Sequence, residues 1–156
     1  YPRVHYNLGL LALRRGNPED AASAFTRAAT FNPSDAGARA HLGLLALRRG
    51  DAADAEAEFQ RALSIDPSQR DSLNNLGTLY MEHREWARAL ALFTRALEKE
   101  PFFLEAAYNR AVALSALHRD DEARDALRVV RSRLPPEERF DPYRKGVDHL
   151  LAGGRP

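Results

Sequence analysis

The sequence predicts an all-α fold built from four stacked pairs of antiparallel helices. The nine letters LGLLALRRG occupy residues 8–16 and recur without a change at residues 42–50, one 34-residue period later. Prolines keep the same period and stand at Pro33, Pro67, Pro101 and Pro135. A fixed period of this length is typical of repeat proteins, in which each unit is stabilised mainly by its neighbours.

Small and aromatic residues follow the same period. The small residues are Gly9, Gly43 and Gly77, with Ala111 in the fourth copy, and Ala21, Ala55, Ala89 and Ala123. The aromatic column is Phe25, Phe59 and Phe93, with Leu127 in the fourth copy. We expect the small residues to let the two helices of a pair approach closely, and the phenylalanines to fill the seams between pairs.

This register of Leu-Gly, Ala, Phe, Ala and Pro resembles the tetratricopeptide repeat over residues 2–137. The usual tryptophan near the start of each repeat is absent, and the usual tyrosine after the glycine appears only as Tyr80. The resemblance implies a right-handed α-solenoid of helix-turn-helix repeats with a C-terminal capping helix. We expect repeats at about 2–35, 36–69, 70–103 and 104–137, the capping helix at 138–152 and a tail at 153–156.

Turn residues predict where the helices begin and end. Gly16, Asn17 and Pro18 combine a C-cap, an N-cap and a first-turn proline, and Gly50 and Asp51 repeat the pattern. The predicted helices span 2–15, 18–31, 35–49, 52–65, 69–83, 86–99, 103–118, 121–133 and 142–152. In the last helix, the apolar residues Tyr143, Val147, Leu150 and Leu151 form one stripe that we expect to cover the open end. In the first, we expect the face of Val4, Leu8 and Leu11 to pack on the second helix.

Composition and motifs argue against several classes of function. The formal net charge is +1, and the basic residues lack the interleaved aromatic residues of a nucleic-acid surface. No apolar run approaches the ~20 residues that a membrane span needs. The five histidines show no metal-binding spacing, and no glycine-rich phosphate loop is present. We therefore expect no enzyme activity, no cofactor or metal, no nucleic-acid partner and no membrane insertion.

The compartment and the extent of the protein are less constrained. The chain has no cysteine, which is compatible with both the cytoplasm and the periplasm. We expect a cytoplasmic protein, with the periplasm as the alternative. The sequence opens at Tyr1-Pro2, where the first helix should already begin. We therefore expect further repeats or another domain upstream.

The resemblance implies a concave groove lined by the first helix of each repeat. The residues expected to line it are Tyr6, Asn7, Leu10, Arg14, His41, Leu44, Arg48, Asn74, Asn75, Thr78, Met81, Tyr108, Asn109 and Val112. One repeated position carries Asn7, Asn75 and Asn109, interrupted by His41, and is similar to the asparagine ladder of O-GlcNAc transferases. An asparagine amide both donates and accepts, so the ladder could hold a peptide backbone; the alternative is that it bonds only neighbouring backbone. We expect His41 to be a solvated imidazole.

Charge divides the expected groove into two halves. Leucines beside Arg14 and Arg48 form the first half, whereas Asp71, Glu82 and Glu105 stand in the second. This predicts a partner segment with acidic and apolar residues toward the N-terminal repeats. The arginines could alternatively be solvated helix ends. Asp71 and Glu105 occupy places where clamp-type repeats carry basic residues for a chaperone's C-terminal carboxylate, so we expect no binding of such tails.

The sequence therefore predicts a protein–protein interaction scaffold that binds a peptide or partner segment in its groove. Two alternatives remain open, a docking module of a larger enzyme and a self-associating assembly scaffold. Self-association would use an open first repeat or the pair Phe102 and Phe103, which follows Pro101 in a turn that usually carries small polar residues. We expect one of these two phenylalanines to be core and the other an exposed contact.

Overall fold

The structure is a computed structural model that describes residues 2–156 and leaves Tyr1, where the sequence opens, outside the described residues. The described chain is all-α. Its helices are α1 (Pro2–Arg14), α2 (Pro18–Phe31), α3 (Ala36–Arg49), α4 (Ala52–Ile65), α5 (Arg70–Glu82), α6 (Trp86–Lys99), α7 (Leu104–Ala116), α8 (Asp120–Arg133) and α9 (Asp141–Leu151), with a short 3-10 helix at Glu138–Phe140. The chain divides into two compact units, Tyr1–Leu76 and Gly77–Pro156.

Each predicted helix is present, and its ends differ from the prediction by at most two residues. The caps explain this agreement. The Asp35 side chain accepts a hydrogen bond from the Ala38 amide at 2.9 Å, and the Asp51 side chain accepts one from the Asp54 amide at 3.1 Å. Gly16 and Gly50 adopt φ angles of +74° and +79°, which residues with a side chain reach only with strain.

The turns after α5 and α7 keep the same geometry without glycine. Arg84 and His118 stand two and three periods after Gly16, and their φ angles are 61° and 59°. A backbone hydrogen bond from the next residue, Glu85 to Tyr80 at 2.8 Å and Arg119 to Leu114 at 3.0 Å, closes each turn. The repeat thus imposes a left-handed residue at a position where the sequence no longer supplies the residue that adopts it most easily.

Buried phenylalanines pack against the helix glycines in each unit. Phe25 and Phe59 are fully buried in the first unit, and Phe93 is fully buried in the second. A Cβ atom on Gly43 would lie 2.6 Å from Phe59 Cε1, and one on Gly77 would lie 2.7 Å from Phe93 Cε1. The ring of each phenylalanine therefore fills the space that the missing side chain leaves on the partner helix.

The face of Val4, Leu8 and Leu11 is less buried than expected. These residues are 51%, 48% and 40% exposed, and Leu8 and Leu11 line an open cleft with Ser23 and Ala24 of α2. The side of α1 that faces α2 carries Gly9, where a Cβ atom would lie 2.7 Å from Phe25 Cε1. Leucines and alanines surround most of this helix, so hydrophobic spacing alone did not distinguish its two apolar faces.

In the second unit, α9 packs on α7 and α8. Val147 is fully buried in a cluster with Ala111, Leu127 and Val130, and Leu150 and Leu151 pack beside it. The Tyr143 ring meets the Tyr108 ring edge to face, with centroids 5.2 Å apart. The stripe predicted from the sequence is the face by which α9 covers this end of the unit.

Candidate functional site

The first unit carries an open cleft where the end of α1, the start of α2 and the end of α3 meet. Its volume is 420 Å³. Leu13 and Pro18 supply apolar surface, while Glu19, Arg48 and Arg49 supply charge. Two of the expected features, a leucine of the first helix and Arg48, are therefore brought together in one concave place.

The arginines of the cleft differ in their pairing. Arg49 forms an exposed ion pair with Asp54, with 3.9 Å between the charged atoms. Arg48 is exposed and forms neither an ion pair nor a hydrogen bond with any residue in the described range. The Arg48 guanidinium therefore leaves its donors open to solvent.

A cluster of rings lies between α1, α2 and α3. His41 stacks on Phe25 with ring centroids 4.5 Å apart, and the Tyr6 hydroxyl lies 3.2 Å from His41 Nε2. The expectation of a solvated imidazole was wrong, because His41 is half-buried and its buried Nδ1 has no hydrogen-bond partner within residues 2–156. Burial lowers the pKa of His41, and the nearby Asp71 and Asp35 oppose that change. Burial also raises the pKa of Tyr6.

The other expected groove residues differ widely in accessibility. Asn7 and Arg14 are exposed, and Leu10, Leu44, Asn75, Thr78, Met81 and Asn109 are half-buried. Asn74 and Val112 are only 4% and 7% exposed, so we remove both from the set of candidate contacts. Tyr108 is half-buried under α9, with its ring against Tyr143 and its hydroxyl at Gly146. The capping helix was predicted, but its contact with Tyr108 was not, because the two tyrosines stand 35 residues apart in the sequence.

Phe102 and Phe103 are both less buried than a core residue. Phe102 is 81% exposed, and the Arg133 guanidinium lies 4.8 Å from the centre of its ring. Arg133 also donates a hydrogen bond to the Pro101 carbonyl at 2.8 Å. Phe103 is half-buried immediately before α7, where we had expected one of the pair to be core.

The second unit has a smaller cleft at the corresponding place, where α7, α8 and α9 meet. Its lining includes Ser115, Asp120, Leu150 and Leu151, of which Ser115 and Leu150 stand three periods after Leu13 and Arg48. The C-terminal tail turns back into it. Arg155 donates hydrogen bonds to the Ser115 carbonyl at 3.1 Å and to the Asp120 carboxylate at 3.0 Å. The open volume that remains is 100 Å³.

Residues 2–156 lack two kinds of feature, a membrane-spanning helix and a cluster of metal ligands. No helix in residues 2–156 combines the length and the apolar character that crossing a bilayer requires. The same residues contain no cluster of three or more histidine, aspartate or glutamate side chains placed to hold a metal ion.

Comparison with known proteins identifies the fold. The chain is 21% identical to YrrB, described as "a TPR protein with an unusual peptide-binding site", with a TM-score of 0.81 over 96% of this chain and 73% of that one. It is 20% identical to PilF of Pseudomonas aeruginosa, with a TM-score of 0.76 over 99% of this chain and 77% of that one. The first TPR of Spaghetti (RPAP3), bound to the HSP90 peptide SRMEEVD, is 20% identical, with a TM-score of 0.69 over 75% of this chain and 93% of that one.

The family follows from a sequence match that covers most of the chain. No curated protein matches the sequence. The family model described as "Tetratricopeptide repeat" matches residues 6–70 and again residues 74–138. The chain therefore belongs to the tetratricopeptide repeat family and has its all-α helical-repeat fold.

Proposed function

We propose that this chain is a protein-interaction module that holds a segment of a partner protein against the first helices of its repeats. The observation that carries the proposal is the open cleft of the first unit, where apolar Leu13 and Pro18 lie beside the unpartnered Arg48. Apolar surface with a few placed polar groups is typical of sites that bind a ligand. The partner segment would be apolar and acidic.

Family membership supports a binding role in place of catalysis, because proteins of this family are generally interaction scaffolds. Among the similar structures, YrrB is described as having a peptide-binding site, and the first TPR of Spaghetti (RPAP3) is bound to an HSP90 peptide. In this chain, exposed Asp71 and Glu105 stand where a clamp for a terminal carboxylate would need cations. We therefore propose an internal segment of the partner as the ligand, in place of a chaperone's C-terminal tail.

The asparagine ladder is proposed as the part of the site that holds the partner's backbone. Asn7 is exposed, and Asn75 and Asn109 are half-buried, so none of the three residues is enclosed in the core. An amide side chain can donate to a carbonyl and accept from an N–H of an extended segment, whatever side chains that segment carries.

The test is affinity capture of partner proteins from the native source, with the wild type and two variants of this chain as bait. The first is the wild type, and the second combines Asn7→Ala, Asn75→Ala and Asn109→Ala. The third is a matched control that changes a repeated position on the second helices, Thr26→Ala, Gln60→Ala and Thr94→Ala. Circular dichroism checks the helix content of all three.

We expect a partner that the wild type and the control retain and that the asparagine variant loses. Retention by all three would refute the ladder and move the contact to another face. The captured partner also provides the segment whose acidic and apolar content checks the first part of the proposal.

Self-association is the second candidate, supported by the apolar surface at the start of the chain. Val4, Leu8 and Leu11 are exposed there, and so is Phe31 at 63%. The positions one period later, Ala38 and Leu45, are buried in a cluster with Ala28 and Ala29 of α2. Sedimentation across concentrations would show dimers that Leu8→Glu abolishes and that Val129→Glu, an equally exposed change on α8, leaves intact. A monomer at every concentration would remove this candidate.

A further inference from the structure

The second unit also has an open pocket, formed by the end of α6, the first half of α7 and one side of α8. Its volume is 450 Å³. Its lining includes Ala107, Arg110, Ala126, Val129 and Arg133. None of its lining residues is among those expected to line the groove, so this α7–α8 pocket is a separate surface.

The α7–α8 pocket is open because two leucines of the third repeat are replaced by alanine in the fourth. Ala107 and Ala126 stand one period after Leu73 and Leu92, and both leucines are buried. The alanines are partly buried and pack against the core cluster of the second unit. They therefore leave space at positions that leucine fills one repeat earlier.

The surface beside the pocket is apolar at positions that are polar in earlier repeats. Phe102 is 81% exposed and Val129 is 45% exposed. The first two repeats carry Ser34 and Ser68 in place of Phe102, and the first three carry arginine in place of Val129. The repeat frame thus tolerates a polar residue at both positions, so folding does not explain the apolar ones. Exposed apolar surface of this kind is typical of interaction sites.

The acids that line the pocket are paired with arginines outside it. Glu122 accepts two hydrogen bonds from Arg119, each 2.7 Å long, and Asp125 forms an ion pair with Arg128 at 3.2 Å. Neither of these arginines lines the pocket. The negative charge of the lining is therefore already compensated from its outer side.

Arg110 places a charge where the first three repeats have leucine. Its Nε is buried and has no hydrogen-bond partner in the described part of the chain. Arg110 also forms no ion pair there. The hydrogen bond from Arg119 is the main cause that lowers the pKa of Glu122, and the charge of Arg110 adds to it. A partly buried guanidinium without an ion pair is stabilised by an anion that comes within reach.

Arg133 is held in position beside the pocket. Its guanidinium lies 4.8 Å from the centre of the Phe102 ring and donates a hydrogen bond to the Pro101 carbonyl at 2.8 Å. It has no ion pair with any residue from 2 to 156. Its remaining donors therefore add a second, preorganised positive group to the pocket.

We propose that the α7–α8 pocket binds a segment of a partner protein, which places an apolar side chain beside Ala107 and Ala126 and a carboxylate against Arg110 and Arg133. This surface is additional to the groove of the proposed function. The apolar surroundings favour a protein segment over a phosphate group. A second copy that inserted its Phe102 would bring its Arg133 next to two arginines, and like charges at close range oppose binding.

The test uses two short peptides and the full chain labelled with nitrogen-15. The peptides GFEG and GFQG, acetylated and amidated, have nearly the same shape and differ by one negative charge. Amide shifts in an NMR titration report where each peptide binds and how tightly. Arg110→Leu restores the residue of the first three repeats, and Ala126→Leu restores that of the third. Arg124→Leu, an exposed change on α8 outside the pocket lining, is the matched control.

We expect GFEG to shift the amides around Ala107, Arg110 and Ala126, and GFQG to bind there about fivefold more weakly, the upper end for one exposed ion pair. Arg110→Leu should remove this preference, and Ala126→Leu should weaken both peptides by filling the pocket. Arg124→Leu should leave both unchanged. Equal binding of the two peptides, or binding that survives Ala126→Leu, would overturn the inference.

Sedimentation of the wild type and Phe102→Ser tests the other occupant. A dimer that Phe102→Ser abolishes would assign this surface to a second copy and would also overturn the inference. The groove and the α7–α8 pocket are tested separately, because none of these variants changes an asparagine of the ladder.

Discussion

The pairing of a glycine with a phenylalanine inside each helix pair predicts the effect of Gly43→Ala. The added Cβ would lie 2.6, 2.8 and 3.0 Å from three atoms of the Phe59 ring, all shorter than an ordinary carbon contact. Phe59 is fully buried, so its ring has no open space into which it could move. Alanine at an unobstructed helix position would instead stabilise the chain by about 1 kcal/mol relative to glycine.

The magnitude follows from these two opposing effects. Overpacking of a close-packed core costs about 1–3 kcal/mol, and three short contacts place this site at the upper end. After the gain in helix propensity, Gly43→Ala should lower the free energy of unfolding by about 2 kcal/mol. In a chain of this size, that loss corresponds to a fall of about 4–8 °C in the melting temperature.

The fourth copy of the repeat suggests the compensating change. Ala111 replaces the glycine and Leu127 replaces the phenylalanine, and both are buried. The double variant Gly43→Ala and Phe59→Leu reproduces that pair in the second copy. We expect it to be more stable than the sum of the two single losses predicts, with a coupling of about 1–2 kcal/mol between sites in contact.

Urea unfolding followed by circular dichroism measures all four proteins of this cycle. Ala53→Gly, on the exposed side of α4, gauges the helix-propensity contribution in the same unit. A Gly43→Ala variant as stable as the wild type would contradict the packing argument. Strict additivity in the cycle would show that the alanine and leucine of the fourth copy are unrelated replacements.

Three further predictions concern turns, pH and the last helix. Arg84→Gly and His118→Gly should each raise the free energy of unfolding by about 1 kcal/mol, because glycine adopts φ near +60° without strain. Thermal melts measure this gain, and Gly50→Arg should have the opposite effect on the melting temperature. His41 has a lowered pKa in the folded chain, so the unfolded chain takes up its proton first and stability should fall as the pH falls below about 6.5. Urea midpoints at pH 7.5 and 5 should differ less in His41→Asn than in the wild type. Gly146→Ala would overlap the Tyr108 hydroxyl and should raise hydrogen exchange in α9, and adding Tyr108→Phe should reverse part of that increase.

The helix boundaries could be predicted to within two residues because local capping and turn residues determine where each helix begins and ends. Gly16 and Gly50 adopt the left-handed angles expected of them, and Asp35 and Asp51 cap the helices that follow. Each of these signals acts within about four residues, so it can be recognised without knowledge of the tertiary structure.

The features that could not be predicted depend on contacts between distant residues. His41 shares a repeated position with three asparagines, but its burial depends on Phe25 and Tyr6 of other helices. Leu8 and Leu42 are the same residue type one period apart, yet Leu8 is 48% exposed while Leu42 packs against the core of the first unit. A residue type repeated at a fixed period predicts the local backbone conformation, whereas the burial of its side chain depends on which other helices pack over it.

The two clefts extend this reasoning from burial to binding. Both are formed by the ends of two helices and the start of a third, so the repeat fixes their shape. Their rims differ in chemistry, because Arg48 is exposed in one cleft and its counterpart in the other, Leu150, packs beside Val147. The formal net charge of +1 conceals this difference, because a sum over the chain cancels local charges of opposite sign. A search for partners should therefore compare the rim residues of each cleft separately. Residues that recur at the repeat period are explained by folding, whereas exposed residues that differ between the repeats are the ones that can distinguish one partner from another.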